Sequence, residues 1–362
     1  MSSVLVLGRG GMGRPIADAM LQLGHRVTTF DSQVSDSDYE SDAVVWCGDI
    51  NNETYTRCLA IVQPDIVISA LPYFLNIRAA TECVLRSIPY CDLGGCVDVS
   101  ARINEMASEK GSYVFTDLGL APGLVNILAA HEHNHATFTV DSINMYCGGI
   151  PKDADKWPFG YVQTWSGDGL YNEYKDDCNI LKDGEIVTVP AMSGYQLSGD
   201  PEWMDLEAFY TSGAASHSLK YFQALGVSNC AYRTIRWAGH VDQIKPLLDT
   251  LTKKEFTNLI NAACKAEDNK QDIVFCGINM ANKGNSTSIT SSRSVSIEGC
   301  PDGKLSAMQR ATALPCAAAA HWILSKVIFD KQYSSGKRPL RYHHVDYIKF
   351  SSTLTSLGIN LD

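Results

Sequence analysis

The sequence predicts an α/β protein: an N-terminal doubly wound parallel sheet, followed by an α+β substrate domain with a largely antiparallel sheet. Three observations carry this reading. The first 120 residues alternate short apolar runs with helical stretches. A glycine-rich turn, Gly8-Arg9-Gly10-Gly11-Met12-Gly13, follows the first run and opens the first helix. Beyond residue 120 the runs alternate apolar with polar residues and helices become fewer.

Residues 3–7 (Ser-Val-Leu-Val-Leu) read as a buried parallel strand ending at Gly8. Pro15 to Leu23 reads as a helix ended by Gly24, and His25 to Phe30 as the second strand, closed by Asp31. Strands over Ala43–Cys47 and Ile66–Leu71 flank a helix over Asn52–Val62. A helix over Leu75–Ser87 leads to short strands at Tyr90–Leu93 and Val114–Asp117. Alternation at this pitch implies right-handed crossovers into one parallel sheet. In the second half, Val140–Tyr146, Glu185–Pro190, Tyr232–Trp237, Asp272–Asn279 and Thr287–Ser296 read as strands, and Ser306–Val327 as an Ala- and Leu-rich helix packing back near the first domain. The expected domains are 1–120, 121–305 and a C-terminal helix and tail, 306–362.

Composition narrows the class. Hydrophobic residues at 45% and charged residues at 19% are ordinary for a soluble globular chain. A formal net charge of -10 argues against a general nucleic-acid binder, because phosphate backbones call for positive surface. No apolar stretch is long enough to span a membrane, and Met1–Leu7 runs straight into the glycine turn with no basic-flanked leader. The twelve cysteines never form a Cys-x-x-Cys pair, so the expectation is reduced thiols, a cytoplasmic compartment and no metal. His131, His133 and His135 are read as a segment following a helix, without metal-ligand spacing. His217, His343 and His344 are read as structural or solvent-facing.

Gly8 to Gly13 matches G-x-G-x-x-G in the context that gives the motif meaning, between a strand and a helix. Gly8 permits the tight turn, Gly10 the approach of backbone to pyrophosphate, and Gly13 close helix–strand packing; Arg9, Gly11 and Met12 complete the loop. Helix amides then face the phosphates. This is the sequence of a Rossmann dinucleotide-binding domain. Asp31, 18 residues after Gly13, is positioned for the adenosine ribose hydroxyls with Ser32 beside it. A carboxylate there favours NAD over NADP, while nearby Arg9 keeps NADP possible. Asp49 and Ile50 follow the third strand where adenine would lie, or form a plain turn. Ala70, Leu71, Pro72 and Tyr73 end the fourth strand, at the edge expected for nicotinamide and substrate.

Further motifs occur in order: Gly119-Leu120-Ala121-Pro122-Gly123-Leu124, Cys147-Gly148-Gly149-Ile150-Pro151, Tyr161-x-x-Thr164-Trp165-Ser166, Glu207-Ala208-Phe209-Tyr210-Thr211, Thr234-Ile235-Arg236-Trp237-Ala238-Gly239-His240 and Met308-Gln309-Arg310-Ala311-Thr312-Ala313. This series resembles the saccharopine dehydrogenase family over nearly the whole chain, most closely its lysine 6-dehydrogenase branch, which the Asp92-Leu93-Gly94-Gly95 segment also resembles. The resemblance implies oxidation of a carbon next to nitrogen, or the reverse reduction, with nicotinamide exchanging the hydride, and a homodimer. Relatives acting on saccharopine tend to carry Asp in the loop where this chain has Ala121, which points towards free lysine.

That chemistry needs an amine freed of its proton, and lysine's reference pKa is ~10.4. Asp117 is the first candidate to hold the amine and move its proton, with capping of the following loop as its alternative; Asp92 is the reserve. Cys147 aligns with a pocket cysteine of relatives, or is a small buried residue. An α-carboxylate calls for a guanidinium: Arg236 first, then Arg310 and Arg233, each with surface pairing as the alternative. Tyr161, Thr164 and Ser166 are candidates for the α-amino group, Trp165 for the core, and His240 for a proton donor or a turn cap. The competing activity is a saccharopine- or carboxynorspermidine-type reductase joining an amine to a carbonyl. A non-catalytic NAD-sensing module is the reading from another class.

Overall fold

Val4, Leu5, Val6 and Leu7 are wholly buried, so the opening strand has both faces covered and must hydrogen-bond on both edges. The computed structural model describes residues 1–33, 43–197, 205–266, 271–283, 288–333 and 339–361, with side chains of 328–333 excepted. Its elements are β1 (Ser3–Leu7), α1 (Gly13–Gln22), β2 (Arg26–Asp31), β3 (Val44–Cys47), α2 (Glu53–Val62), β4 (Ile66–Ser69), α3 (Asn76–Leu85), β5 (Tyr90–Asp92), α4 (Val97–Lys110) and β6 (Val114–Phe115). They continue with α5 (Leu124–His135), β7 (Val140–Pro151), α6 (Gly167–Lys175), β8 (Cys178–Lys182), β9 (Glu185–Val189), β10 (Gln196–Leu197), β11 (Leu206–Tyr210), α7 (Ser218–Ala224) and β12 (Asn229–Trp237). Last come α8 (His240–Thr250), α9 (Lys253–Ala263), β13 (Asp272–Asn282), β14 (Ser291–Glu298), α10 (Ala307–Tyr333) and α11 (Tyr347–Ser356). The chain divides into two compact units, Met1–Leu124 with Thr312–Leu361, and Val125–Ala311.

In the first unit six parallel strands run in the order β3-β2-β1-β4-β5-β6. The order reverses between β1 and β4, which opens a crevice at the carboxyl ends of those two strands. Leu5, Leu7, Phe30, Val67 and Tyr90 form the core with residues of the helices, and the buried Tyr55 hydroxyl is satisfied by the Ala79 carbonyl at 3.1 Å. The tail joins this unit: the Leu340 amide donates to the Val114 carbonyl at 2.7 Å.

The second unit is a mixed sheet in the order β10-β11-β12-β7-β13-β14, with β8 and β9 attached to β12. Only β12 and β7 pair in parallel; every other described pairing in this sheet is antiparallel. Tyr161, Leu170, Tyr174, Phe209, Ile244, Phe256 and Ile260 form a core between α6, α8, α9 and the sheet.

Several expectations need correction. Helices are not sparse beyond residue 120: α5, α6, α7, α8 and α9 all lie there. Of these, α9 carries a readable start signal, the Thr252–Glu255 capping box, whereas α8 is disguised by the internal Pro246. His131, His133 and His135 sit within α5, not after it. Four-residue spacing stacks His131 on His135 with ring centroids 4.2 Å apart. Among the described residues no three metal-ligating groups converge, and no helix is long and apolar enough to cross a membrane. The last strand of the second sheet starts at Ser291, and Thr287 lies outside the described residues. β6 stops at Phe115, and two residues later the backbone turns left-handed, Asp117 having φ +66°. The C-terminal helix runs on to Tyr333.

Candidate active site

At the crevice between β1 and β4 the Gly8 amide donates to Phe30 O and the Ala70 amide to Leu7 O, both at 2.8 Å. Gly8 has φ +92°, and a Cβ on Gly13 would overlap the Gly8 carbonyl, so neither position accepts a side chain. Above Gly10 there is open space: a Cβ there meets nothing within 4 Å. α1 has Met12 as its N-cap, makes no side-chain cap hydrogen bond and carries no acidic residue in its first turn. An amide-rich turn with room above it and no acid in the helix's first turn fits a diphosphate. Ala70 packs against Gly13, and Leu71 against Gly8. Pro72 leads into a single 3-10 turn starting at Tyr73.

Asp31, at the end of β2, accepts the Arg9 amide at 2.6 Å and the Gln33 amide at 2.9 Å. The Arg9 side chain turns inward, donating from Nη1 to Thr29 Oγ1 at 2.6 Å, and is 7% exposed. It is therefore not extended towards solvent beside Asp31. Ser32 is exposed next to it. The adenine expectation for the next turn meets a physical obstacle: Asp49 holds its own turn through the Asn51 amide at 2.9 Å, and Ile50 packs into the core.

On the same sheet, Asp92 ends β5 and Asp117 follows β6. Asp92 Oδ1 accepts the Gly94 amide at 2.9 Å and the Asp117 amide at 3.1 Å, while Oδ2 is buried with no hydrogen-bond partner among the described residues. Asp117 Oδ1 accepts the Ser100 hydroxyl at 2.6 Å, and Asp117 O accepts the Tyr342 hydroxyl at 3.0 Å. Gly94 lies so close to the Asp117 carboxylate that a Cβ would overlap it, and Tyr73 packs over Gly95. Burial, reinforced by the Asp117 charge, pushes the Asp92 carboxyl up to about 7. The pair therefore carries a proton near neutrality, at the carboxyl edge of a Rossmann-ordered sheet.

The second unit holds a different constellation. Arg236, on β12, is 3% exposed. Its Nε donates to the Tyr174 hydroxyl and its Nη1 to the Ile235 carbonyl, both at 2.8 Å. The guanidinium lies over the Tyr161 and Tyr174 rings at 5.2 and 5.8 Å. Among the described residues no carboxylate comes within ion-pair distance and Nη2 has no acceptor. Burial opposes the charge, but Tyr174, Tyr161 and Glu173 outweigh it and raise the pKa. The buried Tyr161 hydroxyl likewise has no described partner.

His240 opens α8, whose first amides are tied by Glu207: Gly239 N and Val241 N donate to its carboxylate at 2.9 and 2.6 Å. His240 Nδ1 lies 2.8 Å from Phe159 O and Nε2 lies 3.1 Å from the Tyr174 hydroxyl. Arg236 donates to Tyr174, Tyr174 to Nε2, and Nδ1–H to the carbonyl, so every hydrogen is placed with the ring neutral. Burial and the Arg236 charge push this histidine down to about 3. The expected proton-donor role is corrected accordingly: His240 orients Tyr174. Cys147 is buried, faces Cys276 across the β7–β13 pair, and its thiol is pushed up by burial and by that neighbour, so it is not a thiolate.

Other candidates fall elsewhere. Arg310 donates to the Glu298 carbonyl at 2.5 Å, and Arg233 is held by Asn144, Gly194 O and Tyr210. Ser166 caps α6 through the Gly169 amide. Thr164 opens instead on a cleft of about 580 Å³ with Gln163, Asn261, Lys265 and Gln309, which does not contain Arg236 or Tyr161. Sequence reasoning missed Glu173 and Tyr174. The signal was there: Glu173 is three residues from buried Leu170, on the edge of the helix face turned inward.

A Rossmann-ordered sheet with its glycine turn at the switch point, continued by a mixed-sheet unit with a buried cation, defines the architectural class. The Saccharopine dehydrogenase C-terminal domain family matches residues 119–333, more than half of the chain, and the protein belongs to the saccharopine dehydrogenase family. A saccharopine dehydrogenase [NADP(+), L-glutamate-forming] of Pyricularia oryzae is 24% identical over 258 residues, covering 68% of this chain and 57% of the relative. The mitochondrial alpha-aminoadipic semialdehyde synthase of Mus musculus is 26% identical over 256 residues, covering 66% of this chain and 27% of the relative. The chain thus spans little more than half the first relative and about a quarter of the second. Apo saccharopine dehydrogenase (L-Glu forming) from Saccharomyces cerevisiae has the same fold, with TM-score 0.76, 17% identity, and coverage of 100% of this chain and 99% of that one.

Proposed function

We propose that the protein is a nicotinamide-dependent amino-acid oxidoreductase acting on a carbon–nitrogen bond, with L-lysine oxidised at its ε-carbon to 2-aminoadipate 6-semialdehyde and ammonia. The observation that carries this reading is Arg236: a buried guanidinium with no described carboxylate beside it is suited to receive one from a ligand. The glycine turn fits the dinucleotide diphosphate, and Asp31 fits ribose hydroxyls, which favours NAD; bound nicotinamide supplies the hydride acceptor. Asp92, titrating near neutrality, takes the amine proton, and Ser100 and the Gly94 amide hold the carboxylate pair in place. Loss of hydride from carbon leaves an iminium, to which water adds as ammonia departs. Saccharopine carries three carboxylates. All three nitrogens of Arg233 donate to protein acceptors, whereas Arg236 keeps Nη2 without a described one, which favours a substrate with a single carboxylate.

The second reading is a saccharopine-type reductase, favoured by the names of the relatives. The test measures NADH formed from lysine plus NAD, beside NAD(P)H consumed with an amine plus a keto acid or semialdehyde. Turnover of the coupled mixture alone rejects the lysine reading. Preference for NADP over NAD rejects the role given to Asp31. Light scattering on the active protein is expected to give a homodimer.

A further inference from the structure

Glu173 is the acid that the constellation around Arg236 leaves without a partner. It lies on α6 immediately before Tyr174, and successive residues of an α-helix point about 100° apart. The helix that delivers the Tyr174 hydroxyl to Arg236 Nε therefore carries Glu173 on an adjoining face. Its carboxylate makes no hydrogen bond or ion pair with any described residue; only its carbonyl is used, by the Ser212 amide at 2.9 Å. It is surrounded by protein yet keeps some solvent contact. Its charge acts on Arg236, Tyr161, Cys147 and Tyr232, so Glu173 is a neighbour of the Arg236 constellation. A carboxylate and a buried guanidinium that are neighbours without closing on each other are unusual, because each leaves the other's charge incompletely compensated. An α-amino acid carries one charge of each sign on a single carbon, which is the complement of this arrangement.

Resting on the function proposed above, we infer that Glu173 determines specificity, receiving the α-ammonium of the substrate while Arg236 receives its carboxylate. The same charge repels a second carboxylate at that position. Empty, the site holds Glu173 near neutrality, since burial raises its carboxyl to about 7 against the pull of Arg236. An arriving ammonium favours the ionised form.

The test pairs L-lysine with 6-aminohexanoate, which is lysine without its α-amino group, on the wild type and on Glu173→Gln. Calorimetric binding and steady-state kinetics are both read. The wild type is expected to prefer lysine by about 10- to 100-fold, the range for a charged hydrogen bond. Glu173→Gln is expected to keep 6-aminohexanoate within about 3-fold and to lose most of the preference, through KM rather than kcat. Glu173→Asp should restore part of it. Equal affinity of the wild type for the two ligands overturns the inference whatever the variants do. So does a Glu173→Gln protein that melts cooperatively but loses both ligands equally. If wild-type protein turns over lysine in either case, the proposed function stands and only the role of Glu173 falls. If it binds neither ligand, the function itself falls.

Discussion

The two units bury charge in opposite ways. In the Rossmann-ordered unit two like charges are brought together: Asp92 accepts the Asp117 amide, and burial reinforced by the Asp117 charge keeps Asp92 protonated up to about 7. In the mixed-sheet unit two opposite charges are held apart: Arg236 is restrained by Tyr174 and a backbone carbonyl, and Glu173 by its place on α6. The first arrangement stores a proton, which suits acid–base work. The second stores unsatisfied attraction, which suits recognition. A stability-driven design would separate the first pair and join the second.

The largest expected effect separates these roles. Arg236→Leu should lower kcat/KM for lysine by about 10² to 10³, the scale for removing one partner of a buried charged contact, and abolish calorimetric binding of the amino acid. Dinucleotide binding, followed by fluorescence, should change little; joint loss of both would break the division of labour between the units. Arg236→Lys should recover only part, because an ammonium lacks the planar fork.

Next comes Asp92. Its folded pKa, about 7, lies above the ordinary 3.8, so between those values the folded protein holds a proton that the unfolded chain has released. Stability from this group is thus greatest at low pH and is lost as pH rises through that window. Asn mimics the protonated acid and keeps the acceptor for the Gly94 and Asp117 amides. Asp92→Asn should therefore be more stable than wild type by ~1–3 kcal/mol at about pH 8, with little difference at about pH 4, while turnover falls. Thermal melts across pH check this. A gain independent of pH would show that the raised carboxyl of Asp92 is not the cause.

The smallest effect is expected at His240, where the sign reverses. Its folded pKa, about 3, lies below the ordinary 6.5, so this contribution is present above 6.5 and lost as pH falls towards 3. His240→Phe should cost ~1–2 kcal/mol at neutral pH by leaving Tyr174 without its acceptor, and should flatten the acid limb of the stability curve. The pH–rate profile between about 6 and 9 should keep its shape. A lost limb there would restore His240 as a proton donor.

Much of this was legible in the residues. Gly8 and Gly13 report a turn whose backbone tolerates no side chain, and Gly10 the open space above it. Asp31, Asp92 and Asp117 stand at strand ends because each follows a short apolar run. The Thr252–Glu255 box announces α9, although the alternating strands around it drew attention away. By contrast, Arg233, Arg236 and Arg310 are equivalent as letters, and Glu173 looks like any acid on an amphipathic helix. What separates them is which residues from other strands and helices happen to occupy the same space.

The chain's own chemistry therefore determined the parallel sheet, its glycine turn and the identity of most candidate groups, because those depend on neighbours close along the backbone. Folding in three dimensions decided which arginine stays unpaired, which carboxyl keeps its proton and which histidine stays neutral. Those properties come from desolvation and from charges on remote strands and helices, and no local pattern encodes them.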